Sequence, residues 1–332
     1  MFETCKKCGM PNTRPGSAFT DGVCQPCINF ENRAEIDWQK RKEMLDDILT
    51  EARRHGAQYD CVCPVSGGKD SLTIVAGLVE RGALPLLVTV TDEFTHTQAG
   101  LHNVKNIAER FDVDHIVFRH APEEFVYNSR KDFENELHPL KWIEEKIYRT
   151  PIQIAKAMGI PAVFFGENSG YEYGSDPELS VLHPLSDEQA KVYYYFGFTP
   201  YDERKNMQTA REYGFKDLND FAEWPRQGNI EQFTQIDSIG YIIQLWTKFP
   251  KFGFQRVADM TSRMVRRGQM TLKKANQLVK DEDWRCDPAA KADFCRAIDI
   301  TEKQFDEVVD RHANRDILTK DFAGNWRRKD LL

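Results

Sequence analysis

Apolar runs suited to buried strands alternate with helix-spaced apolar positions through the middle of the chain. Residues 59–65 (Tyr-Asp-Cys-Val-Cys-Pro-Val) form the first such run, and Leu72, Ile74, Val75, Leu78 and Val79 follow at helical spacing. A glycine at position 82 ends that helix, 84–91 repeats the strand pattern, 103–111 reads as a helix and 115–120 as a third strand. Two more helices are expected over 123–135 and 140–158, divided at His138-Pro139, because proline drives the residue before it out of the helical region. Ala162-Val163-Phe164-Phe165 is the next strand. Uninterrupted apolar strands are covered on both faces, and strands that alternate with helices pair in parallel. The expectation is an α/β fold, a doubly wound parallel sheet occupying residues 31–200, with an amphipathic helix over 31–54 packed on it.

Ligands bind such sheets at the carboxyl ends of the strands. Asp92 and Glu93 follow the second strand, and Glu167 and Asn168 follow the last, so these polar residues are site candidates. The glycine- and tyrosine-rich stretch 169–200 reads as a long loop or lid. From Asp202 onward no further strand is expected, and 201–332 reads as a helical C-terminal region. Within it, 239–246 is an apolar helix and 248–254 a turn. Arg256, Asp259, Ser262 and Arg263 recur at helical spacing and share one face, either as a surface ion-pair stripe or as a binding surface. The basic run 327–329 reads as solvated.

The junction between first strand and first sheet helix carries the strongest chemistry. Ser66-Gly67-Gly68-Lys69-Asp70-Ser71 places two glycines and two hydroxyls where unpaired N–H groups and the helix dipole attract anions. Glycine lets the backbone close around a phosphate, Lys69 supplies a mobile positive charge, and Asp70 is the expected contact for a magnesium ion. The spacing is not that of a Walker loop. It resembles the pyrophosphate loop of the N-type ATP pyrophosphatases, which split ATP into AMP and pyrophosphate.

Cys5-x2-Cys8 and Cys24-x2-Cys27, fifteen residues apart, have zinc-ribbon spacing over residues 1–30. Few apolar residues lie there, so a metal must supply folding energy, and four thiolates leave no open position for chemistry. Disulfides are the other reading of these pairs, one that a reducing compartment disfavours. The composition is that of a globular protein, 41% hydrophobic and 29% charged. The net charge of −7 argues against a large nucleic-acid footprint. With no run long enough to span a membrane and no signal-peptide pattern in residues 1–7, a cytoplasmic protein is expected.

Over nearly its whole length the chain resembles the N-acetyl sugar amidotransferase family of bacterial lipopolysaccharide and O-antigen synthesis. The resemblance runs through the cysteine pairs with Met10-Pro-Asn-Thr-Arg-Pro-Gly16, the loop from Pro64 to Ser71, and His138-Pro139. It continues through Gly166-Glu167-Asn168, Glu172-Tyr-Gly174, and Pro250-Lys-Phe-Gly253 with Arg256 and Asp259. It departs at 91–96, where a tryptophan-containing segment is expected, and after Pro139, where relatives are more apolar. What it implies is conversion of a sugar acetamido group to an acetamidino group with ATP and ammonia, on a nucleotide-linked N-acetyl sugar. Ser66 to Ser71, Asp92 and Arg256 would then bind nucleotide, Lys69 and Asp70 would act on the leaving pyrophosphate, and Glu167, Asn168 and Glu172 would orient the acceptor or take a proton. No cysteine stands at position 2 and none lies in a Gly-x-Cys-x-Gly elbow, so ammonia is expected from a separate glutaminase partner with a cyclase-like subunit. The rival is a tRNA thiolase, which needs a reactive cysteine or iron–sulfur cluster beside the loop. A non-enzymatic nucleotide sensor is a third reading.

Overall fold

The computed structural model describes residues 2–166 and 180–332. The central sheet contains β3 (Cys61–Pro64), β4 (Pro85–Thr91), β5 (His115–Arg119), β6 (Ala162–Phe165) and β7 (Lys191–Tyr194), after the short ribbon strands β1 (Phe19–Thr20) and β2 (Val23–Cys24). Its order is β5-β4-β3-β6-β7 and every pairing is parallel. The chain walks outward from β3 to β5, then returns to the other side of β3. The carboxyl ends of β3 and β6 therefore form the switch point where such sheets bind ligands.

Helices cover both faces: α2 (Trp38–His55), α3 (Lys69–Val79) and α4 (Gln98–Phe111) on one side, α6 (Lys141–Ala157) on the other. Strand alternation divides the core accordingly. Cys61, Cys63, Leu87 and Phe164 join Leu45, Leu49 and Leu72, whereas Val62, Leu86, Val88 and Val163 pack with Ile152 and Ala155 of α6. The helix α5 (Pro122–Glu136) is separated from α6 at His138-Pro139, as expected.

Two strand assignments correct the sequence reading. Residues 191–194, expected within a loop or lid, form the edge strand β7, with Val192 fully buried and the tyrosines at 193 and 194 half-buried. The C-terminal region is not wholly helical: Leu318–Lys320 pairs antiparallel with Trp326–Arg328. The basic run is accordingly not simply solvated. Arg328 is buried and paired to Asp330 at 2.7 Å, and the Arg327 guanidinium lies 4.3 Å from the Trp284 ring centroid. Nor is 248–254 an open turn, because Lys248–Phe252 is a short helix stopped by Gly253 in the left-handed region.

The N-terminal ribbon folds around its cysteines. Gly9 donates to the Cys5 carbonyl, and the Cys24 N–H donates to Cys5 Sγ at 3.3 Å. It docks on the C-terminal region, where Val265 packs against the four cysteines and Thr13 donates to the Phe252 carbonyl.

Helix α3 fits against β7's exit with no space to spare. A Cβ built on Gly77 would lie 1.8 Å from the Tyr195 hydroxyl. Glycine to alanine inside a helix ordinarily stabilises by about 1 kcal/mol; here overlap dominates, and Gly77→Ala is expected to destabilise by about 1–3 kcal/mol in chemical denaturation. Tyr195→Phe in the same background should recover part of that loss. A Gly77→Ala protein as stable as the parent would show that α3 does not pack in this way.

Candidate active site

The loop after β3 closes on itself. Gly68 N–H donates to Ser66 Oγ at 3.4 Å and Ser66 N–H to Ser71 Oγ at 3.3 Å. Gly67 has φ +81°, and a Cβ there would lie 2.8 Å from the Val104 backbone nitrogen, so glycine is required by both conformation and space. Helix α3 starts at Lys69 with no side-chain cap, which leaves its first N–H groups for a ligand.

Lys69 is not the mobile charge expected. Its side chain is buried, with Nζ 2.7 Å from Asp70 and 3.9 Å from Glu203. Burial alone would lower its pKa, but Asp70, Tyr201 and Glu203 outweigh burial and raise it above the ordinary lysine value. Asp70 accepts in addition from Asn206 Nδ2 at 2.8 Å and the Tyr201 hydroxyl at 3.4 Å. Both carboxylate oxygens are thus engaged by protein groups. Asn206 and Glu203 lie on the helix Glu203–Glu212, which packs on α3 through the Thr73 hydroxyl bonded to the Asn206 carbonyl.

A cavity of about 230 Å³ opens over this loop. Ser66, Gly68, Lys69, Asp70 and Ser71 make its polar end, and Val88, Val90, Ile147 and Phe165 make an apolar slot. Tyr201, Phe233, Thr234, Gln235 and Asp237 complete the wall. Pro151 stands inside α6 at the same cavity and removes the helical donor to the Ile147 carbonyl, leaving that acceptor at the slot. A polar anion cradle continuous with an apolar slot suits phosphates and an aromatic base.

Other expected site residues are placed differently. Asp92 does not line the cavity, because its carboxylate accepts from Phe94 N–H at 3.0 Å and Ser238 Oγ at 2.9 Å. Glu93 is held by Arg119 at 2.8 and 2.6 Å. Arg256 is also absent from the wall. It is buried and donates to Thr234 Oγ1 at 2.6 Å, so it supports a cavity residue from behind. The helix Arg256–Arg266 carries no surface stripe: Asp259 and Ser262 are 4% and 1% exposed, and Lys248 lies 3.3 Å from Asp259. Burial pushes the Asp259 carboxyl up, but Lys248, Arg263, Arg256 and Arg14 outweigh it and hold the group below the ordinary range. Glu167, Asn168 and Glu172 lie outside the described residues.

The segment 231–237 and the residues Tyr201, Glu203 and Asn206 were not legible as site residues. They come from stretches without clear periodicity, although the long connection between the helix ending at Glu212 and the helix starting at Ile242 is itself a mark of a working loop. Glu231 accepts from the Phe233 and Thr234 N–H groups, and Arg226 donates to the Thr234 carbonyl. Burial lowers the pKa of that Arg226 guanidinium to about 10 despite Glu231. Among the described residues no cysteine lines the cavity. Cys61 and Cys63 are fully buried, and burial pushes both thiols up, the inert form of cysteine.

The four ribbon cysteines do come together. Their sulfurs lie within 4.8 Å of one another, with Cys8–Cys24 at 3.6 Å and Cys5–Cys27 at 3.9 Å. A tetrahedron with metal–sulfur bonds of about 2.3 Å has edges of about 3.8 Å, so the donor set fits a zinc-sized ion.

A parallel sheet with a glycine loop at its switch point, closed by a helix N-terminus and a buried lysine, is an α/β domain with a candidate anion-binding site. The C-terminal region defines it further: residues 210–330 match the family model of the WbpG-like C-terminal domain of LPS biosynthesis proteins. An uncharacterized protein of Methanocaldococcus jannaschii is 22% identical over 256 residues, covering 77% of this chain and 84% of that one. Similar solved structures include the NH3-dependent NAD synthetase of Campylobacter jejuni, with a TM-score of 0.39 and 15% identity over 55% of this chain and 76% of that one. The NMN synthetase of Francisella tularensis has a TM-score of 0.38 and 11% identity over 80% and 94% of the two chains. The U34-tRNA thiolase NcsA of Methanococcus maripaludis, solved with its 4Fe-4S cluster, has a TM-score of 0.34 and 13% identity over 90% and 96%.

The cysteine site predicts one bound divalent ion per chain by elemental analysis. Cys8→Ser or a strong chelator should remove it and lower stability by on the order of several kcal/mol, with thermal unfolding as the readout. Retention should weaken as pH falls, because the ligands are thiolates and protons compete for them. An ion-free protein with unchanged stability would remove the metal from the account.

Proposed function

We propose that this chain is an AMP-forming, ATP-dependent amidotransferase that converts the acetamido group of a nucleotide-linked N-acetyl sugar to an acetamidino group in surface-glycan synthesis. The observation that carries this reading is a glycine loop at a helix N-terminus, opening on a cavity with an apolar slot, in the same chain as a match to the WbpG-like C-terminal domain of LPS biosynthesis proteins.

An amide carbon is a weak electrophile and its oxygen a poor leaving group. Attack of the acetamido oxygen on the α-phosphorus of ATP forms a C–O–P linkage and expels pyrophosphate. Ammonia then adds to the activated carbon and AMP leaves. The loop N–H groups and Lys69 stand where charge builds on the departing pyrophosphate, which is electrostatic preorganisation. The fixed Lys69–Asp70–Asn206 contacts mean that little reorganisation is needed at that moment. Magnesium brought in with the nucleotide would supply further charge neutralisation; Asp70, expected to hold it, does not fit that role, because both of its oxygens are engaged by Lys69, Tyr201 and Asn206. The Ile147 carbonyl is a natural acceptor for the adenine amino group.

Zinc at the four cysteines has a structural role, because four protein ligands leave no open position. Ammonia comes from a separate glutaminase partner with a cyclase-like subunit, in keeping with the absence of a glutaminase nucleophile pattern in the sequence. The reaction belongs to the cytoplasm, where nucleotide sugars and ATP are made.

The test is pyrophosphate release from ATP with ammonium chloride across a panel of nucleotide-linked N-acetyl sugars, followed by product mass. The expected product has one acetamido oxygen replaced by NH, with one AMP formed per turnover. Lys69→Met should abolish pyrophosphate release while leaving the fold intact by circular dichroism. Pyrophosphate release without that product, or use of glutamine by the isolated chain, would overturn the reading.

A further inference from the structure

The cavity has a second polar feature besides the glycine loop. Asp237 forms part of its wall. Its backbone is tightly placed: the Asp237 carbonyl accepts from Thr97 N–H at 3.1 Å, and a Cβ on Gly100 would come within 2.5 Å of that oxygen. Its side chain, by contrast, receives no hydrogen bond or ion pair from the described residues. The two carboxylates nearby are both satisfied. Asp92 has two donors, and Asp293 accepts from Thr95, Gly240 and Arg296. A carboxylate left without donors at the wall of a ligand cavity is costly to keep unless it works on something in that cavity.

Triphosphate is not its partner, since like charges repel. A group that releases a proton in the cavity is. Resting on the amidine-forming reading above, we propose that Asp237 is the proton acceptor for the nitrogen that attacks the activated acetamido carbon. Ammonia donates its lone pair to that carbon, forming the C–N bond, and the C=N π pair returns to the sugar nitrogen. The tetrahedral adduct then carries an ammonio group, and the Asp237 carboxylate takes one of its protons. The freed nitrogen lone pair expels AMP by breaking the C–O bond, and the amidine leaves as its cation.

The surroundings poise the group for this. Burial first, and then the Asp92 carboxylate, push the Asp237 carboxyl up to about 7, against the opposing pull of the Arg226 guanidinium. The elements against it, α4 through Thr97 and Gly100 and the strand end at Asp92, bring no cation into hydrogen-bonding contact with it. A base with a pKa near the working pH is ionised often enough to accept a proton and basic enough to hold it.

The experiment separates the two half-reactions in the full chain. Acceptor-dependent exchange of labelled pyrophosphate into ATP, without ammonia, reads adenylation alone. Asp237→Asn should keep that exchange within about twofold, which also shows that the variant is folded, and should lose about 10²–10⁴-fold in amidine formation. Hydroxylamine, already neutral at pH 7 and giving an adduct that loses its proton more readily, should restore most of the variant's second step. With rates expressed per free ammonia, the parent should gain activity as pH rises through about 7, and the variant should show no such limb. Loss of exchange together with amination would make Asp237 a nucleotide or metal ligand and overturn the proposal. Unchanged amination would overturn it as well. If the parent itself shows no exchange with any N-acetyl sugar, the amidine reading fails, and this role for Asp237 fails with it; that outcome is visible in the parent alone.

Discussion

A lysine charge cannot be buried by itself, and the rest of the site is arranged around that constraint. Lys69 sits in the first turn of α3, directly behind the phosphate-cradling loop, and is almost wholly withdrawn from solvent. Its stability there depends on Asp70 at 2.7 Å, Glu203 at 3.9 Å and the ring of Tyr201. Removing one partner of such a group typically costs several kcal/mol, because the remaining charge is left unmatched. Tyr201, Glu203 and Asn206 all come from the chain just after β7. The sheet domain therefore cannot complete its own anion site. It needs the segment leading into the region matched by the WbpG-like model, and this couples the two parts of the chain at the candidate anion site.

The same dependence recurs in the segment 231–237. Thr234 is held by Glu231, Arg226 and Arg256, three buried charged residues, and the two guanidinium charges favour the Glu231 carboxylate. Arg256 begins the helix whose later residues pack against the ribbon, with Val265 on the four cysteines and Arg14 acting on Asp259. A ribbon whose four cysteines fit a zinc-sized ion thus also bears on the cavity. It covers the far side of the helix that supports Thr234, and loss of the metal would loosen that support without touching any residue of the cavity.

The sheet was legible because its interior strands are apolar on both faces and separated by well-marked helices. The loop was legible because six consecutive residues have one physical use. β7 was hidden, since only Val192 is completely buried and its tyrosines look equally at home in a lid. The strand pair at the C-terminus was hidden for a related reason. Its strands are three residues long and rich in Lys and Arg, whose stems and guanidinium faces cover Trp326 and Trp284 while reading as solvated charge. The face of Arg256, Asp259, Ser262 and Arg263 was seen as a face, but spacing cannot tell whether a polar face is covered. Here the covering groups, Thr234 and the ribbon, lie at a distance in sequence. Asp92 misled for the converse reason: the rule places carboxylates at strand ends near a ligand, whereas Ser238 turned this one aside.

The arrangement also resolves a conflict within the proposed chemistry. Splitting ATP calls for fixed positive potential, whereas adding ammonia and discarding its proton calls for a base that positive potential would make too weak. One undivided polar pocket would serve neither step well. In this cavity the positive charge belongs to the β3–α3 junction, and the unpaired carboxyl of Asp237 belongs to a separate segment of the chain that also lines it. The half-buried Asp92, fixed by Ser238, adds to the negative potential at Asp237, which is a use for a residue outside the cavity lining. Arg226, whose guanidinium pulls on Asp237, is held by its bond to the Thr234 carbonyl, and burial with Asp92 outweighs that pull. A cavity built from two chain segments can hold both potentials because each is assembled on its own framework.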